Sequence, residues 1–256
     1  MKAVILAGGL GSRLSEETDV RPKPMVEIGG MPILWHIMKI FSHYQVVDFI
    51  ICCGYKAYVI KEYFANFFLH SSDFNINLQN NKIEILNQKS DPWKVTIIDT
   101  GALTMTAGRL KKIANYLQDD DKFFLTYGDG LADVDINKLL TSHNAYNKKV
   151  TLTGVLPLGR FGALKLDGNT VSDFVEKPIG EDGFINGGFF VVEKSVLEMI
   201  NGDDSVWETE ILAKLAKTNS LGIYKHRGFW QPMDTLREKN LLEKMWAEGN
   251  APWKVW

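Results

Sequence analysis

The chain has 256 residues and a mass of 28.9 kDa, which favours one compact domain, with at most a small appendage. Its net charge of −2 argues against nonspecific nucleic-acid binding, because that mode needs clustered excess positive charge. An apolar content of 45% is sufficient for a sizeable core, and no apolar run reaches the length that crosses a membrane. The composition therefore leaves a globular protein with small-molecule substrates or ligands, and polyanions remain allowed among them.

The only two cysteines, Cys52 and Cys53, are sequence neighbours inside an apolar run. Adjacent cysteines rarely bridge to each other, and neither has a spaced partner for a metal site. We therefore expect buried strand residues in a reducing compartment. The N-terminus does not resemble a secretory signal, so a cytoplasmic location is expected.

A glycine-rich loop follows the first predicted strand, Ala3 to Leu6. Glycines in this loop allow close approach to a ligand, and their amides form a concave anion site. A Walker A loop is excluded because Gly11 is followed by Ser12-Arg13, and a dinucleotide fingerprint is excluded by Leu14. The loop thus predicts a phosphate site of another class.

Arg13 at the end of this loop is one cation, and a second one follows ten residues later. Lys23 lies between Pro22 and Pro24, which predicts an extended, stiff segment that presents its ammonium group. An incidental lysine and arginine in a solvated loop are the plain alternative.

The whole run from Lys2 to Pro24 resembles the signature of the sugar-phosphate nucleotidylyltransferases. Its continuation, RPKPMVEIGGMPILWHIMK, is most similar to the glucose-1-phosphate cytidylyltransferase branch of that family. The resemblance implies an α/β, Rossmann-like nucleotidyltransferase fold: a predominantly parallel mixed central sheet flanked by helices, plus small β insertions. It implies one domain over residues 1–256, with a nucleotide-binding N-terminal half and a sugar-phosphate-binding C-terminal half.

The same resemblance implies a reaction and its partners. CTP and glucose 1-phosphate would give CDP-glucose and pyrophosphate with Mg²⁺, by in-line nucleotidyl transfer. The product would feed deoxysugar synthesis for surface polysaccharide such as lipopolysaccharide O-antigen. The family also implies a homo-oligomer, a hexamer or a tetramer.

The next segments predict parallel βαβ units. A helix opens at Met31-Pro32 and carries an apolar stripe through Phe41, a strand covers Asp48 to Cys53, and an aromatic helix covers Tyr58 to Phe68. This alternation is typical of an α/β sheet. The polar stretch from Ser71 to Asp91 interrupts it and is interpreted as an insertion.

The segment Thr100 to Arg109 follows a predicted strand at Val95 to Asp99. Its small and hydroxyl residues suit a nucleotide wall, although an ordinary capped loop would have a similar composition. By resemblance, Thr104 and Arg109 contact the base.

An aspartate flanked by glycines, Gly128-Asp129-Gly130, ends the predicted central strand Phe123 to Tyr127. Catalytic groups of α/β enzymes occupy such strand ends, and carboxylate oxygens suit Mg²⁺, although Asp-Gly also makes plain turns. By resemblance, Asp129 is a metal ligand. Asp135 is better interpreted as a helix N-cap.

The C-terminal half resembles the sugar-phosphate site of the family. A strand at Lys149 to Val155 precedes a predicted hairpin over residues 161–175, which runs into Glu176-Lys177-Pro178. The last three residues alone would be a plain surface turn as readily as a site. By resemblance, Glu176 holds sugar hydroxyls, Lys177 holds the sugar phosphate, and Asn186 and Gly187 face the sugar.

The end of the chain contains one further candidate ligand. An amphipathic helix is predicted for Trp207 to Thr218. Asp234 could merely cap the helix after it, but the run FWQPMDT resembles the family pattern in which this aspartate is the second metal ligand. Two tryptophans in the tail APWKVW are expected to be exposed and to form an interface.

The resemblance thus assigns Arg13 and Lys23 to catalysis and Asp129 and Asp234 to the metal. It assigns the nucleotide to Leu6, Ala7, Gly8, Gly9, Leu10, Gly11, Ser12, Arg13, Lys23, Thr104, Arg109 and Gly128.

Two alternatives stay open. The first is the same reaction with another nucleotide, such as dTTP or UTP, or with another sugar 1-phosphate. The second is a noncatalytic nucleotide-sensing relative. The complete set of cations and carboxylates argues against the sensor, which could lose its metal ligands.

Overall fold

The structure is a computed structural model that describes residues 1–87, 91–157, 163–167, 170–175 and 183–256. The strands are β1 (Ala3–Ala7), β2 (Glu27–Ile28), β3 (Met31–Pro32), β4 (Asp48–Cys53), β5 (Asp73–Asn77), β6 (Lys82–Asn87), β7 (Lys94–Asp99), β8 (Lys122–Tyr127), β9 (Gly130–Ala132), β10 (Val150–Val155), β11 (Ala163–Asp167), β12 (Thr170–Val175), β13 (Ile185–Glu193), β14 (Leu221–His226) and β15 (Trp230–Pro232). The α-helices are α1 (Ser15–Thr18), α2 (Ile33–His43), α3 (Ala57–Ala65), α4 (Phe67–Ser71), α5 (Thr106–Lys112), α6 (Ile136–Tyr146), α7 (Ala213–Lys217) and α8 (Leu236–Ala247). Short 3₁₀ turns cover Ser12–Leu14, Lys23–Met25, Ala114–Leu117 and Lys194–Met199, and a π-helix covers Trp207–Leu212.

A seven-stranded mixed sheet forms the centre of the molecule, with the strand order β14-β10-β13-β8-β1-β4-β7. Strand β13 is antiparallel to both of its neighbours, and the other pairings are parallel. The predicted fold class, a predominantly parallel mixed sheet with flanking helices, is confirmed. Because β1 pairs in parallel with both β4 and β8, their carboxyl ends meet at one edge. Ligands of α/β proteins bind at this kind of edge.

Strand β1 is buried on both faces, and this explains its unbroken apolar sequence. One face, with Ile5 among its residues, belongs to the core layer that contains Phe41 and other apolar residues of α2. Val4 on the other face belongs to the layer that contains Trp207. The glycine loop therefore starts from a strand that is buried along its whole length.

Several local predictions need correction. The aromatic helix is two helices, α3 and α4, separated at Asn66. Met31–Pro32 is a short strand, with Pro32 as the residue before α2. The C-terminal amphipathic helix begins as a π-helix and becomes α7 only at Ala213. The expected insertion is confirmed as the hairpin β5–β6, and Cys52 and Cys53 are buried and free.

The C-terminal tail packs against its own chain, so the prediction of two exposed tryptophans is wrong. Trp253 is fully buried, stacks on Phe229 and Trp246, and donates from Nε1 to Nδ1 of His36 at 3.3 Å. Trp256 meets Trp35 edge to face. Among the described residues, none of the helices combines the length and the apolar character needed to cross a bilayer.

Candidate active site

An open cleft of about 460 Å³ lies at the carboxyl ends of β1 and β8. It contains every residue that was assigned to the nucleotide except Arg13, whose side chain lies outside the described part of the structure. The lining residues are Leu6, Ala7, Gly8, Gly9, Leu10, Gly11, Ser12, Lys23, Pro24, Ala102, Leu103, Thr104, Met105, Thr106, Arg109, Tyr127, Gly128 and Asp129. The cleft is the candidate nucleotide site.

Two glycines of the loop are required by their surroundings. A Cβ at Gly8 would lie 2.1 Å from Nη1 of Arg109, so a side chain there would displace the guanidinium group. Gly11 has a φ of +69°, and a Cβ there would lie 2.7 Å from Cγ2 of Thr18. The Thr18 hydroxyl donates to the Gly11 carbonyl at 3.1 Å. These contacts fix the loop as it leaves β1.

Arg109 is buried behind the loop and bonds to the protein main chain. Nη1 donates to the carbonyls of Cys53 at 3.0 Å and Gly101 at 2.8 Å, and to the Thr100 hydroxyl at 2.7 Å. Nη2 donates to the Gly8 carbonyl at 2.9 Å. Burial lowers the pKa of Arg109, but a guanidinium remains charged because its ordinary pKa is so high. The side chain thus joins the glycine loop, the end of β4 and the loop that carries Thr104; its direct contact with the base stays a prediction.

Thr104 is also engaged within the protein. Its hydroxyl donates to Oδ2 of Asp203 at 3.3 Å and accepts from Nζ of Lys112 at 3.1 Å. Lys112 and Asp203 form an ion pair at 2.6 Å, and this contact lowers the pKa of the Asp203 carboxyl. The Thr104 hydroxyl is therefore held from outside the cleft, and its contact with the base stays a prediction.

Lys23 lies between the two predicted metal ligands. Its Nζ is 2.6 Å from Oδ2 of Asp129 and 2.5 Å from Oδ1 of Asp234. The lysine is 8% exposed, whereas the side chain of Asp129 is 33% exposed, so the lysine is the more deeply buried partner. Two carboxylates from distant parts of the sequence therefore converge on one positive charge beside the cleft.

Strand pairing explains how these carboxylates meet. β9 and β15 are antiparallel, with Gly130 opposite Pro232, so the residue before one strand lies beside the residues after the other. The Met233 amide donates to the Asp129 carbonyl at 2.8 Å and closes this junction. Asp234 is not the N-cap of α8, because Thr235 and Glu238 form the capping box. The capping alternative for Asp234 is therefore wrong.

The backbone around Lys23 is a 3₁₀ turn, and the predicted extended segment is wrong. The Met25 amide donates to the Pro22 carbonyl at 2.8 Å, and the Val26 amide donates to the Lys23 carbonyl at 3.1 Å. Pro24 fits because its missing amide hydrogen is not needed in this turn. The lysine is presented by a hydrogen-bonded turn rather than by an extended segment.

The sugar-phosphate half is described only in part. Glu176 and Lys177 lie outside the described residues. Asn186 is exposed, and its Nδ2 donates to the Tyr127 hydroxyl at 3.2 Å. The Gly187 carbonyl accepts from Nε1 of Trp230 at 2.8 Å. Asn186 therefore lies next to a residue of the nucleotide cleft, and its contact with the sugar stays a prediction.

The sequence agrees with this geometry at the level of the family. The family model described as nucleotidyl transferase matches residues 2–233. The chain belongs to this nucleotidyl transferase family. It is 57% identical over 256 residues to the glucose-1-phosphate cytidylyltransferase of Salmonella typhi, with all of both chains covered. It is 43% identical over 259 residues to a probable glucose-1-phosphate cytidylyltransferase of Bacillus subtilis, again over the full length of both.

A solved structure supports the fold of the family. The crystal structure of HddC from Yersinia pseudotuberculosis superposes with a TM-score of 0.71 at 25% identity. The superposition covers 96% of this chain and 99% of HddC.

Nucleotidyltransferases of this family generally depend on a divalent metal ion. In the described part of the chain, no group of three or more histidine, cysteine or carboxylate side chains could hold a metal ion.

Sequence reasoning missed Tyr127, Thr106 and Glu208. Tyr127 precedes Gly128 at the end of β8, a position where a polar side chain could have been noticed. Thr106 is the first residue of α5 and was included only in a general hydroxyl-rich segment. Glu208 lies in a segment with a helical apolar pattern, so no local signal distinguishes it from a solvated carboxylate.

Proposed function

We propose that this nucleotidyltransferase converts CTP and α-D-glucose 1-phosphate to CDP-glucose and pyrophosphate. The observation that carries the proposal is the convergence of Lys23, Asp129 and Asp234 beside the glycine-loop cleft. The choice of substrates is supported by the full-length relatives, whose names specify this reaction.

The reaction needs charge neutralisation and alignment rather than a covalent enzyme intermediate. A phosphate oxygen of glucose 1-phosphate attacks the α-phosphorus of CTP and forms the new P–O bond. The bond from the α-phosphorus to the oxygen that bridges to the β-phosphorus breaks, and this oxygen leaves with pyrophosphate. No proton must be removed from the attacking oxygen, because it is already anionic. Positioning and electrostatic stabilisation are therefore the work of the protein.

The residues around the cleft divide this work. The glycine-loop amides and Arg13 would hold the triphosphate, and Lys23 would stabilise the charge that develops at the α-phosphate. Lys177 would anchor the sugar phosphate, and Glu176, Asn186 and Gly187 would contact the sugar. The position of Lys23 supports its role, because Lys23 lines the cleft and its ammonium group bonds to Asp129, another lining residue.

Asp129 and Asp234 are suited to hold Mg²⁺. Their oxygens converge within 2.6 Å of a single ammonium nitrogen, so the Lys23 charge stands where a bound cation would also be favoured. Mg²⁺ is commonly bound by one or two carboxylates together with substrate phosphates. When bound, the ion would neutralise phosphate charge and help to orient the triphosphate. Lys23 would then exchange its carboxylate partners for phosphate oxygens.

The cytosine would be read by the main chain of two segments. The Leu6 to Gly9 segment and the loop before α5 both line the cleft. Arg109 fixes both segments, because it bonds to Gly8 in one and to Gly101 in the other. A rigid arrangement of carbonyls and amides would select the donor and acceptor pattern of one base. Arg109 would thus act on base selection by shaping this pocket, in addition to any direct contact.

A substrate grid tests the proposal. Pyrophosphate release is measured with CTP, UTP, dTTP, ATP and GTP against glucose, mannose and galactose 1-phosphates in the presence of Mg²⁺. We expect the CTP and glucose 1-phosphate pair to give the highest kcat/KM. Another preferred pair would replace the substrates but keep the enzyme class, and no turnover with any pair would contradict the catalytic assignment.

The homo-oligomer and the cytoplasmic location stay predictions. Light scattering of the purified chain would give its molar mass in solution, and fractionation of cells would give its location.

A further inference from the structure

The carboxylate of Glu208 joins two parts of the cleft wall. Its Oε1 accepts a hydrogen bond from the Tyr127 hydroxyl at 2.7 Å, and its Oε2 accepts one from the Thr106 hydroxyl at 2.9 Å. Tyr127 is the last residue of β8 and Thr106 is the first residue of α5, and both line the cleft. Glu208 itself is not among the lining residues. It contacts the wall from behind.

The bonds continue from Tyr127 to the sugar half. Asn186 donates from Nδ2 to the Tyr127 hydroxyl at 3.2 Å. Its Oδ1 accepts from the Gly188 amide at 3.0 Å. The two bonds fix the amide at both of its ends, so the exposed Asn186 side chain is presented in one orientation.

The donor and the acceptor are determined for each hydrogen bond in the series from Thr106 through Glu208 and Tyr127 to Asn186. The Trp207 amide donates to Thr106 Oγ1 at 2.9 Å, so the Thr106 hydroxyl hydrogen is available for Glu208. The Tyr127 hydroxyl accepts from Nδ2 of Asn186, and a neutral phenol has one hydrogen, which it donates to Glu208. Both ends of the series therefore point toward the Glu208 carboxylate.

The backbone that carries Glu208 supports a functional role. Glu208 lies on the π-helix Trp207–Leu212, whose wider turn is uncommon and is found frequently at functional sites. The segment before the π-helix is also bonded to the loop before α5, because the Met105 amide donates to the Asp203 carbonyl at 2.8 Å. A Cβ at Gly108 would lie 2.5 Å from that same carbonyl oxygen. The C-terminal half is therefore in close contact with the loop before α5 and with the start of α5.

We propose that Glu208 is a positioning residue that couples the nucleotide side of the cleft, at Thr106, to the sugar side, at Asn186. Through Thr106 it holds the start of α5 and the loop before it, and through Tyr127 it orients Asn186 for a hydroxyl of the hexose phosphate. The proposal rests on the proposed function, because it assumes that Asn186 contacts the sugar. Glu208 touches neither substrate in this arrangement.

Separate variants on the two arms test the coupling by steady-state kinetics. Tyr127→Phe removes the hydroxyl that orients Asn186, and we expect the KM for glucose 1-phosphate to rise about tenfold, the effect of one lost hydrogen bond. The KM for CTP should change less than about twofold. Thr106→Val should show the reverse pattern, and Thr106→Ser, which keeps the hydroxyl, should restore the KM for CTP. Glu208→Gln offers one acceptor in place of two, so one hydroxyl loses its acceptor and the KM of at least one substrate should rise.

Matched controls and a folding check accompany these variants. Tyr116→Phe and Glu198→Gln change exposed residues away from the cleft and should leave both KM values unchanged. Thermal melts show whether each variant folds, and if Glu208→Gln does not fold, the Tyr127 and Thr106 variants still decide the matter.

Two results overturn the coupling. One is an unchanged KM for both substrates in Tyr127→Phe and in Thr106→Val, and the other is an equal rise in both KM values in each variant. If the wild-type chain prefers another nucleotide or sugar phosphate, the substrate assignment fails. The same comparison with the preferred pair then tests the coupling alone.

Discussion

Arg109 donates a hydrogen bond from Nη2 to the Gly8 carbonyl at 2.9 Å, across 101 residues of sequence. The contact is possible only because position 8 has no side chain, since a Cβ there would lie 2.1 Å from the other terminal nitrogen of the same guanidinium group. Glycine at this position therefore serves the packing of a buried cation, in addition to its predicted role in the approach of a ligand. This second requirement distinguishes Gly8 from its neighbour Gly9.

Alanine at position 8 is expected to destabilise the protein, and alanine at position 9 is not. Gly8→Ala forces Arg109 away from its carbonyl partners, and overpacking of this kind costs about 1–3 kcal/mol. A Cβ at Gly9 meets nothing within 4 Å, so Gly9→Ala should leave the melting temperature close to that of the wild type. Thermal denaturation of the two variants provides a matched comparison. Equal melting temperatures would show that Arg109 can be displaced at no cost.

The proposed Mg²⁺ site at Asp129 and Asp234 predicts that a change in either aspartate lowers turnover. Asp129→Asn and Asp234→Asn each remove one carboxylate charge from the same point, and we expect kcat to fall at least about a hundredfold. Circular dichroism should show an unchanged fold, because β9 and β15 are joined by main-chain bonds. Excess EDTA should abolish wild-type activity, and Mg²⁺ should restore it. Full turnover in EDTA would refute the metal assignment.

Lys23 has two partners to lose and should affect two measurements. Lys23→Ala removes the cation near the reacting phosphate, and we expect kcat to fall at least about a hundredfold. It also leaves Asp129 and Asp234 without the ammonium group that lies between them. The apparent Mg²⁺ affinity of this variant should therefore rise while kcat falls, as measured by Mg²⁺ titration.

Lys177→Ala should instead raise the KM for glucose 1-phosphate more than the KM for CTP. An identical kinetic defect in both lysine variants would contradict this division of roles.

His36 predicts a loss of stability in mild acid. Burial, with a smaller contribution from the charge of Lys254, lowers the pKa of His36 to about 4 from the ordinary value of 6.5. Since the unfolded chain binds the proton more tightly, the stabilising contribution is complete above pH 6.5 and is lost as the pH falls toward 4. The loss amounts to about 3 kcal/mol at the lower end of that window.

Urea unfolding of the wild type and His36→Gln between pH 7 and pH 4 measures this effect. Glutamine can donate to the Ile28 carbonyl and accept from Trp253, as His36 does through Nε2 and Nδ1. The other titrating groups are common to both proteins, so the difference in their pH dependence belongs to His36. Parallel curves for the two proteins would contradict the assignment.

The sequence was informative where function depends on local chemistry. The apolar run of β1 and the glycines after it indicate a rigid strand with an anion site, and the structure confirms the strand and places the loop in the cleft. Contacts between distant residues were less accessible. Nothing near Lys23 in the sequence shows that two aspartates, 106 and 211 residues away, meet at its ammonium group. The meeting depends on the pairing of β9 with β15, two short strands that have no strong local pattern.

The errors have the same origin. Pro22 and Pro24 favour an extended chain locally, but the amides of Met25 and Val26 close a 3₁₀ turn around Lys23. The tail tryptophans were expected at the surface because nothing in the tail shows that Trp253 stacks on Phe229 and Trp246. Glu208 was missed for the same reason, since its importance comes from Tyr127 and Thr106. In each case, tertiary contacts decided what the local pattern left open.

The most direct test of the account is the ratio of kcat/KM for CTP to that for dTTP, with glucose 1-phosphate as the second substrate. Cytosine presents an amine donor and a ring-nitrogen acceptor at the edge where thymine presents an acceptor and a donor. A pocket built from fixed main-chain groups leaves polar groups unpaired against the wrong base, which costs several kcal/mol. We predict that CTP is preferred by about a hundredfold or more. Equal kcat/KM values for CTP and dTTP would contradict the cytidylyl assignment.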